Sequence, residues 1–406
     1  MPLMRIPYTD PLPAPRILPR SASSVSGAIT ALTTFLTAAP PAHLASTSAA
    51  SASSQSQPPH GKTLLLTGAG ISVASGLADY RGTNGTYTLN KSYKPIYFSE
   101  FVARHESRKR YWARSFLGWT NLEKARPNAA HWAVRDLGEL GLVGRVITQN
   151  VDSFHLTAHP SLPTTELHGY LRALVCLTCR HQYPRAEFQA RLAALNPAWA
   201  GFLAEMLAAG ALSTENPAAR RAKGLRTNPD GDVDVPGVDY ASFRYPACPV
   251  CLARSNMDRD RGGLRVVVDS DGAWCTASNG GVLKPAVVMF GESIPAATKD
   301  AADAAVDDAG RLLVVGSSLA TYSAWRLVKR ARERGVPVGI LNVGGVRGEE
   351  AFFADVDGGE EGAARAVRAA EDATLVLPGV VERVRALRGM GESLRHADGV
   401  RAGVGG

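Results

Sequence analysis

Four cysteines in two C-x-x-C pairs, Cys176/Cys179 and Cys248/Cys251, are the side chains here most specialised for chemistry. Two such knuckles supply four soft thiolates, a set that closes a tetrahedron around zinc and leaves no open position for a substrate. The expectation is therefore one structural Zn2+, not a catalytic metal. Sixty-eight residues separate the pairs, more than a usual zinc ribbon holds, so an insertion has to loop out between them. A redox dithiol is the competing reading, and two separated pairs without flanking βαβ units argue against it. Cys275, the fifth cysteine of 406 residues, reads as a small hydrophobe in an inserted loop. So few cysteines, mostly paired this way, point to a reducing compartment without a disulfide framework.

Upstream, the apolar run Thr63–Thr67 ends in Gly68-Ala69-Gly70-Ile71-Ser72. Glycines at such a turn let backbone approach a pyrophosphate, and a following helix would offer free N–H groups. The spacing departs from the dehydrogenase fingerprint, since Val73 takes the third glycine position and the next glycine is Gly76. No acid-ended second strand follows about twenty residues later; Asp79-Tyr80-Arg81-Gly82 arrives almost at once. Hydride transfer is thereby disfavoured and another use of a dinucleotide suggested. Thr148-Gln149-Asn150-Val151-Asp152 stands at a strand's carboxyl end, where open α/β sheets bind ligands. Asp152 could equally cap the next helix. Gly316-Ser317-Ser318 and Asn342-Val343-Gly344 repeat the polar strand end. His168, in Glu166-Leu167-His168-Gly169, falls between the Gln149–Asp152 strand end and the cysteines. His131, His155 and His181 lack that placement and read as packing or surface residues.

These groups need a scaffold. Apolar runs predict strands at Thr63–Thr67, Val143–Thr148, Ala286–Phe290, Leu312–Gly316, Val336–Asn342 and Thr374–Leu377. Helical stretches alternate with most of them: Asn128–Leu140, Pro295–Ala309 and Tyr322–Arg334. The alternation argues for an α/β fold with a Rossmann-like parallel-sheet large domain. That domain is assigned residues 61–175 and 282–390, with a helical lid at 83–127 containing the aromatic-rich Phe101–Trp119 stretch. Residues 176–281 form the inserted small zinc-binding domain, with linker-like pieces at Asn228–Pro236 and Asp258–Gly281. Residues 1–60 hold a helix at Gly27–Ala38 and a low-complexity tract at Ala45–Pro59, and residues 391–406 a flexible tail, with fraying expected from Gly389.

No run of 18 apolar residues is present, so no membrane span is expected. The net charge of +8 is scattered, not gathered in one stripe, so direct nucleic-acid binding is not expected. The first 60 residues carry Arg5, Arg16 and Arg20 against one acid, Asp10, a composition suited to a mitochondrial transit segment, although early prolines break the helix that importers read. Matrix is the expected compartment, with cytoplasm or nucleus as alternatives.

Taken together, Gly68 to Arg81, Thr148 to Asp152, Glu166 to Gly169, the cysteine pairs, Lys284 to Glu292, Gly316 to Ser318 and Asn342 resemble the sirtuins, in sirtuin order, over about residues 61–378. Arg110 to Trp119, Pro127 to His131 and Asn228 to Val233 resemble the mitochondrial class II branch, nearest the members described as lipoamidases and ADP-ribosyltransferases. The resemblance implies an NAD-consuming protein-lysine deacylase that releases nicotinamide and O-acyl-ADP-ribose from acyl-lysine proteins. Mono-ADP-ribosyl transfer from the same pocket is the runner-up, and a non-enzymatic ADP-ribose-binding module the third reading. Carried over by motif, His168 is the general base, with Asn150 and Asp152 beside it. Gln149, Asn150 and Asp152 hold the nicotinamide ribose and carboxamide. Gly68, Ala69, Gly70, Ile71, Ser72, Asp79, Tyr80 and Arg81 shape the pyrophosphate and nicotinamide site. Gly316, Ser317, Ser318, Asn342, Val343, Gly344 and Asp372 meet the adenosine side. Val288, Phe290 and Gly291 line the acyl-lysine tunnel. Ala78 and Gly82 depart from the family pattern and are expected to loosen the cofactor loop. A Tyr-x-x-Arg pair serving acidic acyl groups is not expected in the helical region, so desuccinylation is not favoured.

Overall fold

A computed structural model describes residues 8, 10–45, 61–83, 85–89, 93–210, 226–227, 233–235, 238–257, 263–356 and 358–402. Six strands build a wholly parallel sheet: β1 (Thr63–Thr67), β2 (Val143–Thr148), β3 (Thr164–Glu166), β9 (Arg311–Val315), β10 (Val338–Leu341) and β11 (Ala366–Ala369). Their order is β11-β10-β9-β1-β2-β3. Numbered within this sheet alone and read from the β3 end, that is 3-2-1-4-5-6, the doubly wound arrangement whose strand order reverses between β1 and β9.

Both faces of this sheet are covered, so its central strands read as unbroken apolar runs and not as alternating ones. In β1, Leu65 packs into the core under helices Val25–Thr37, Ala129–Glu139 and Ala373–Ala402. Leu64 and Leu66 point the other way, into the core under Ala296–Asp307 and Tyr322–Glu333. Helix Val25–Thr37 matches the expected Gly27–Ala38; Ser24 accepts a hydrogen bond from the Gly27 N–H at its start. Just before it, Leu18 exchanges two backbone hydrogen bonds with Arg368, covering the open edge of β11.

Between β3 and β9 the chain forms a second layer. Antiparallel strands β4 (Gly169–Cys176), β5 (Gln182–Pro184) and β8 (Leu283–Val287) pair in the order β5-β4-β8. In a two-stranded ribbon, β6 (Arg226–Thr227) immediately precedes the expected linker and β7 (Val233–Asp234) lies within it; linker residues 228–232 and 236 are outside the described ones. One core joins this layer to helices Phe98–Ala103, His105–Lys124, Arg185–Leu195 and Pro197–Ala208 through Trp112, Phe116, Phe188 and Phe243.

Three expectations are corrected. The Ala286–Phe290 run contributes to β8, an antiparallel strand of the small sheet, because it pairs with β4. Thr374–Leu377 is no strand but the start of helix Ala373–Ala402; Val376 and Leu377 supply the buried face of that helix. The same helix continues through Gly389 to Ala402, where fraying was expected, since Met, Leu, Arg, Glu and Ala outweigh three glycines. Residues 403–406 and the tract 46–59 lie outside the described residues.

Candidate functional site

The reversal between β1 and β9 opens a cavity of about 1340 Å3 at the carboxyl ends of the parallel strands. Its floor is the junction of two glycine turns. Gly70 N–H donates to the Gly316 carbonyl at 2.8 Å, and Gly68 N–H to that of Val315 at 3.1 Å. A Cβ on Gly70 would lie 2.8 Å from the Gly316 Cα, so the backbones touch only because neither residue has a side chain. Gly316 has φ +61°, in the left-handed region. The helix expected after Gly68 is a 3-10 helix, Ala69–Ser75; Ile71, expected among the cofactor contacts, turns away from the cavity into the core at 1% exposure.

The strand end of β2 forms one wall through a connected set of hydrogen bonds. Ser72 Oγ donates to Asp152 Oδ2 at 2.7 Å and accepts from Asn150 Nδ2 at 3.1 Å. Asp152 Oδ1 accepts from the Phe154 N–H at 2.9 Å, so the carboxylate caps the next helix and buttresses the wall together. Burial raises the Asp152 pKa, opposed by the Phe154 N–H and the Ser72 hydroxyl. Gln149 Nε2 donates to Ser317 Oγ at 2.7 Å, tying this wall to the β9 turn.

His168, at the junction of the two layers, borders the same cavity. Nδ1 meets the Gln149 carbonyl at 3.1 Å and Nε2 meets Ser323 Oγ at 2.8 Å. A carbonyl only accepts, so Nδ1 carries the proton and Nε2 the lone pair. Burial lowers the His168 pKa to about 4, with the Gln149 carbonyl opposing, which keeps the ring neutral at pH 7. His131 and His155 pack in the interior at 0% and 1% exposure, and His181 is exposed, as expected of them.

A third wall is the segment after β8. Val288 N–H donates to the His168 carbonyl at 2.8 Å, and the Phe290 carbonyl accepts from the Phe98 N–H at 2.8 Å. Val288, Phe290 and Gly291 all border the cavity. A buried ion pair, Lys284 to Glu292 at 3.1 Å, braces this segment: Lys284 Nζ donates to the Val287 carbonyl and Glu292 accepts from the Met289 N–H.

The Asp79–Arg81 loop crosses the mouth. Gly82 N–H donates to Asp79 Oδ1 at 3.0 Å, and a Cβ on Gly82 would stand 2.2 Å from Asp79 Oδ2. Glycine there permits a tight turn over the carboxylate instead of loosening the loop. Arg81 donates to the Tyr8 carbonyl, and its guanidinium lies 5.5 Å from the Tyr87 ring centre; Tyr80 stacks on Tyr87 at 5.6 Å. Ala69, Ser318, Asn342, Val343, Gly344 and Asp372 complete the border at the carboxyl ends of β1, β9, β10 and β11. Asp372 accepts from Thr374 N–H and Oγ1, both at 2.7 Å, and so also caps the last helix.

Sequence reasoning missed several residues here. Tyr8 and Leu12 border the cavity although they belong to the expected transit segment. Ser323 faces His168 from a helix start with no motif to mark it. A Tyr-x-x-Arg pair does exist: Tyr111 borders the cavity and Arg114 lies over the Tyr93 ring at 5.4 Å, overturning its expected absence.

The four knuckle cysteines converge at the edge of the small sheet. Their sulfurs all lie within 4.8 Å of one another, with Cys176–Cys251 at 3.6 Å and Cys179–Cys248 at 3.7 Å. A tetrahedron with Zn–S bonds of about 2.3 Å has edges of about 3.8 Å, so the set fits zinc. The distances are far too long for disulfides.

A doubly wound nucleotide cleft joined to a four-cysteine lobe, with a neutral histidine between them, defines the class. The Sir2 family model matches residues 68–323, and the chain belongs to that family. It is 42% identical over 298 residues to an NAD-dependent protein deacylase of Batrachochytrium dendrobatidis, covering 72% of this chain and 84% of that one. Identity to the mitochondrial NAD-dependent protein lipoamidase sirtuin-4 of Bos taurus is 36% over 289 residues, 71% of this chain and 76% of the relative. A Sir2 homologue mutant in complex with ADP-ribose shares the fold, with TM-score 0.50 and 22% identity over 81% of this chain and 94% of the other.

Proposed function

We propose that the protein is an NAD-dependent protein-lysine deacylase. The observation that carries this reading is His168, whose Nε2 lone pair faces one cavity shared by the glycine cradle and the Val288–Gly291 wall. NAD is the co-substrate: the acyl oxygen of the lysine substrate bonds to its reactive ribose carbon as the bond to nicotinamide breaks and nicotinamide leaves. The Gly68–Gly70 and Gly316–Ser318 turns hold the phosphates and adenosine side. Gln149, Asn150 and Asp152 orient the nicotinamide ribose and carboxamide, and Val288–Gly291 pairs with the substrate backbone as an added strand. His168 Nε2 takes the proton from a ribose hydroxyl once nicotinamide has left, a task suited to a neutral imidazole. Zinc, when bound by Cys176, Cys179, Cys248 and Cys251, ties the small sheet together and takes no part in the reaction.

The test is nicotinamide release with and without acyl-peptides from acetyl to lipoyl, including a carboxylate-capped chain because of Arg114. Release that requires a peptide, with acyl removal lost in His168→Ala while NAD still binds, is the expected result. Peptide-independent release with label on protein would instead mark a mono-ADP-ribosyltransferase, and no release at all an ADP-ribose-binding module. For location we propose the mitochondrial matrix, supported by the acid-poor, arginine-bearing first 20 residues and the mitochondrial bovine relative. Fractionation of cells expressing the tagged full chain checks it; an exclusively cytosolic or nuclear signal refutes it.

A further inference from the structure

Three hydroxyls in one short stretch, Ser317, Thr321 and Ser323, reach back to the wall that carries the base. Ser317 Oγ accepts from Gln149 Nε2 at 2.7 Å, Thr321 Oγ1 donates to Gln149 Oε1 at 3.0 Å, and Ser323 Oγ lies 2.8 Å from His168 Nε2. The stretch owes its shape to two left-handed residues, Gly316 at φ +61° and Leu319 at φ +52°, before helix Tyr322–Glu333 begins. Gln149 in turn presents its carbonyl to His168 Nδ1. The imidazole is thus held at both nitrogens, by a carbonyl from β2's end and a hydroxyl from the helix start across the cleft.

On the deacylase reading, we infer that Ser323 is a positioning residue for the general base. Its O–H donates to the Nε2 lone pair in the resting enzyme. That bond fixes the ring plane and the Nδ1–H tautomer and keeps the lone pair aimed into the cavity. When the ribose hydroxyl approaches, the serine rotor swings aside and the lone pair is already directed at its proton. The Gln149 carbonyl then steadies the charged ring. With Ser323 truncated, the ring is tethered at one nitrogen and rotates about that bond, so the proton-transfer step slows while cofactor binding and nicotinamide departure, which precede it, do not need the serine.

The experiment compares single-turnover acyl-peptide cleavage with labelled-nicotinamide exchange into NAD, in the unsubstituted enzyme, Ser323→Ala and Ser323→Thr. Ser323→Ala should slow cleavage about tenfold or more, on the scale by which a positioned base accelerates a reaction. Exchange and KM for NAD should change less than about twofold, and Ser323→Thr should restore most of the cleavage rate, since it restores the hydroxyl. Cleavage by Ser323→Ala at the parent rate overturns the inference. So does a parallel loss of exchange, which would mark a distorted cofactor site, or a threonine variant as slow as alanine. Absence of exchange in the unsubstituted enzyme would overturn the deacylase reading itself.

Discussion

Arg368 offers the sharpest test of how the fold supports the cofactor cleft. Its side chain is 0% exposed and its partner Glu349 1%. Nε donates to Glu349 Oε1 at 2.8 Å; Nη1 donates to the Asn342 and Ala369 carbonyls at 2.7 and 2.6 Å; Nη2 donates to the Gly344 carbonyl at 2.7 Å. Glu349 also accepts from the Arg16 and Val346 N–H groups. One guanidinium therefore fastens the Asn342–Gly344 rim of the cavity to the sheet edge. Arg368→Met removes the cation but leaves the carboxylate buried, and breaking such a pair costs about 3–5 kcal/mol. At about 2–4 °C per kcal/mol for a sizeable domain, the melting temperature should fall by at least about 6 °C. Adding Glu349→Leu removes the stranded charge and should return part of the loss. Thermal unfolding followed by circular dichroism, with and without NAD, reads the stability, and initial-rate kinetics read KM for NAD, which should rise as the rim loosens. A single variant melting within about 2 °C of the parent with unchanged KM refutes the reasoning.

Because His168 must be neutral to act as base, activity is lost as pH falls through its pKa. With that pKa lowered to about 4 by burial, kcat/KM should stay flat from pH 8 to about pH 5; an acid limb centred near the ordinary histidine value would refute the assignment. Cys248→Ser should release zinc and unfold or aggregate the protein, checked by metal analysis alongside circular dichroism; a soluble, zinc-free and fully active variant would contradict the structural metal. Gly316→Ala would force a side chain into the left-handed region and 2.3 Å from the Ile71 nitrogen. NAD affinity measured by calorimetry should collapse, and an unchanged Kd would show that the two turns need no such contact.

Much of the scaffold could be read from local runs because β1, β9 and β10 are buried on both faces and β2 mostly so, which fills them with Leu, Ile and Val and leaves polar residues mainly at their ends. β11 escaped for the opposite reason: its four residues include Arg368, whose burial depends on a glutamate 19 positions away. Thr374–Leu377 misled because a run of four residues carries no period, and the Asp372 cap that starts a helix there is a single side chain. Nothing local in Ala286–Phe290 distinguishes pairing with β4 from joining the parallel sheet. The site followed a similar rule. His168, the Gln149–Asp152 strand end and the glycine turns announce themselves by type and spacing, whereas Ser323 and Thr321 matter only through what they face. The Tyr111/Arg114 spacing, by contrast, is fully legible in the chain, within the Arg110–Trp119 stretch.

The pairing of Leu18 with Arg368, and of helix Val25–Thr37 with helix Ala373–Ala402, has a consequence for biosynthesis. Partners at 18–37 wait for partners at 366–402, made far later in the chain. Until they are made the sheet lacks its border strand, and the apolar side of the early helix, including Leu32 and Phe35, is only partly covered, by β1, β9 and β10. Closure of this layer therefore waits for helix Ala373–Ala402, and until then the remaining apolar face of the early helix is open to non-native contacts.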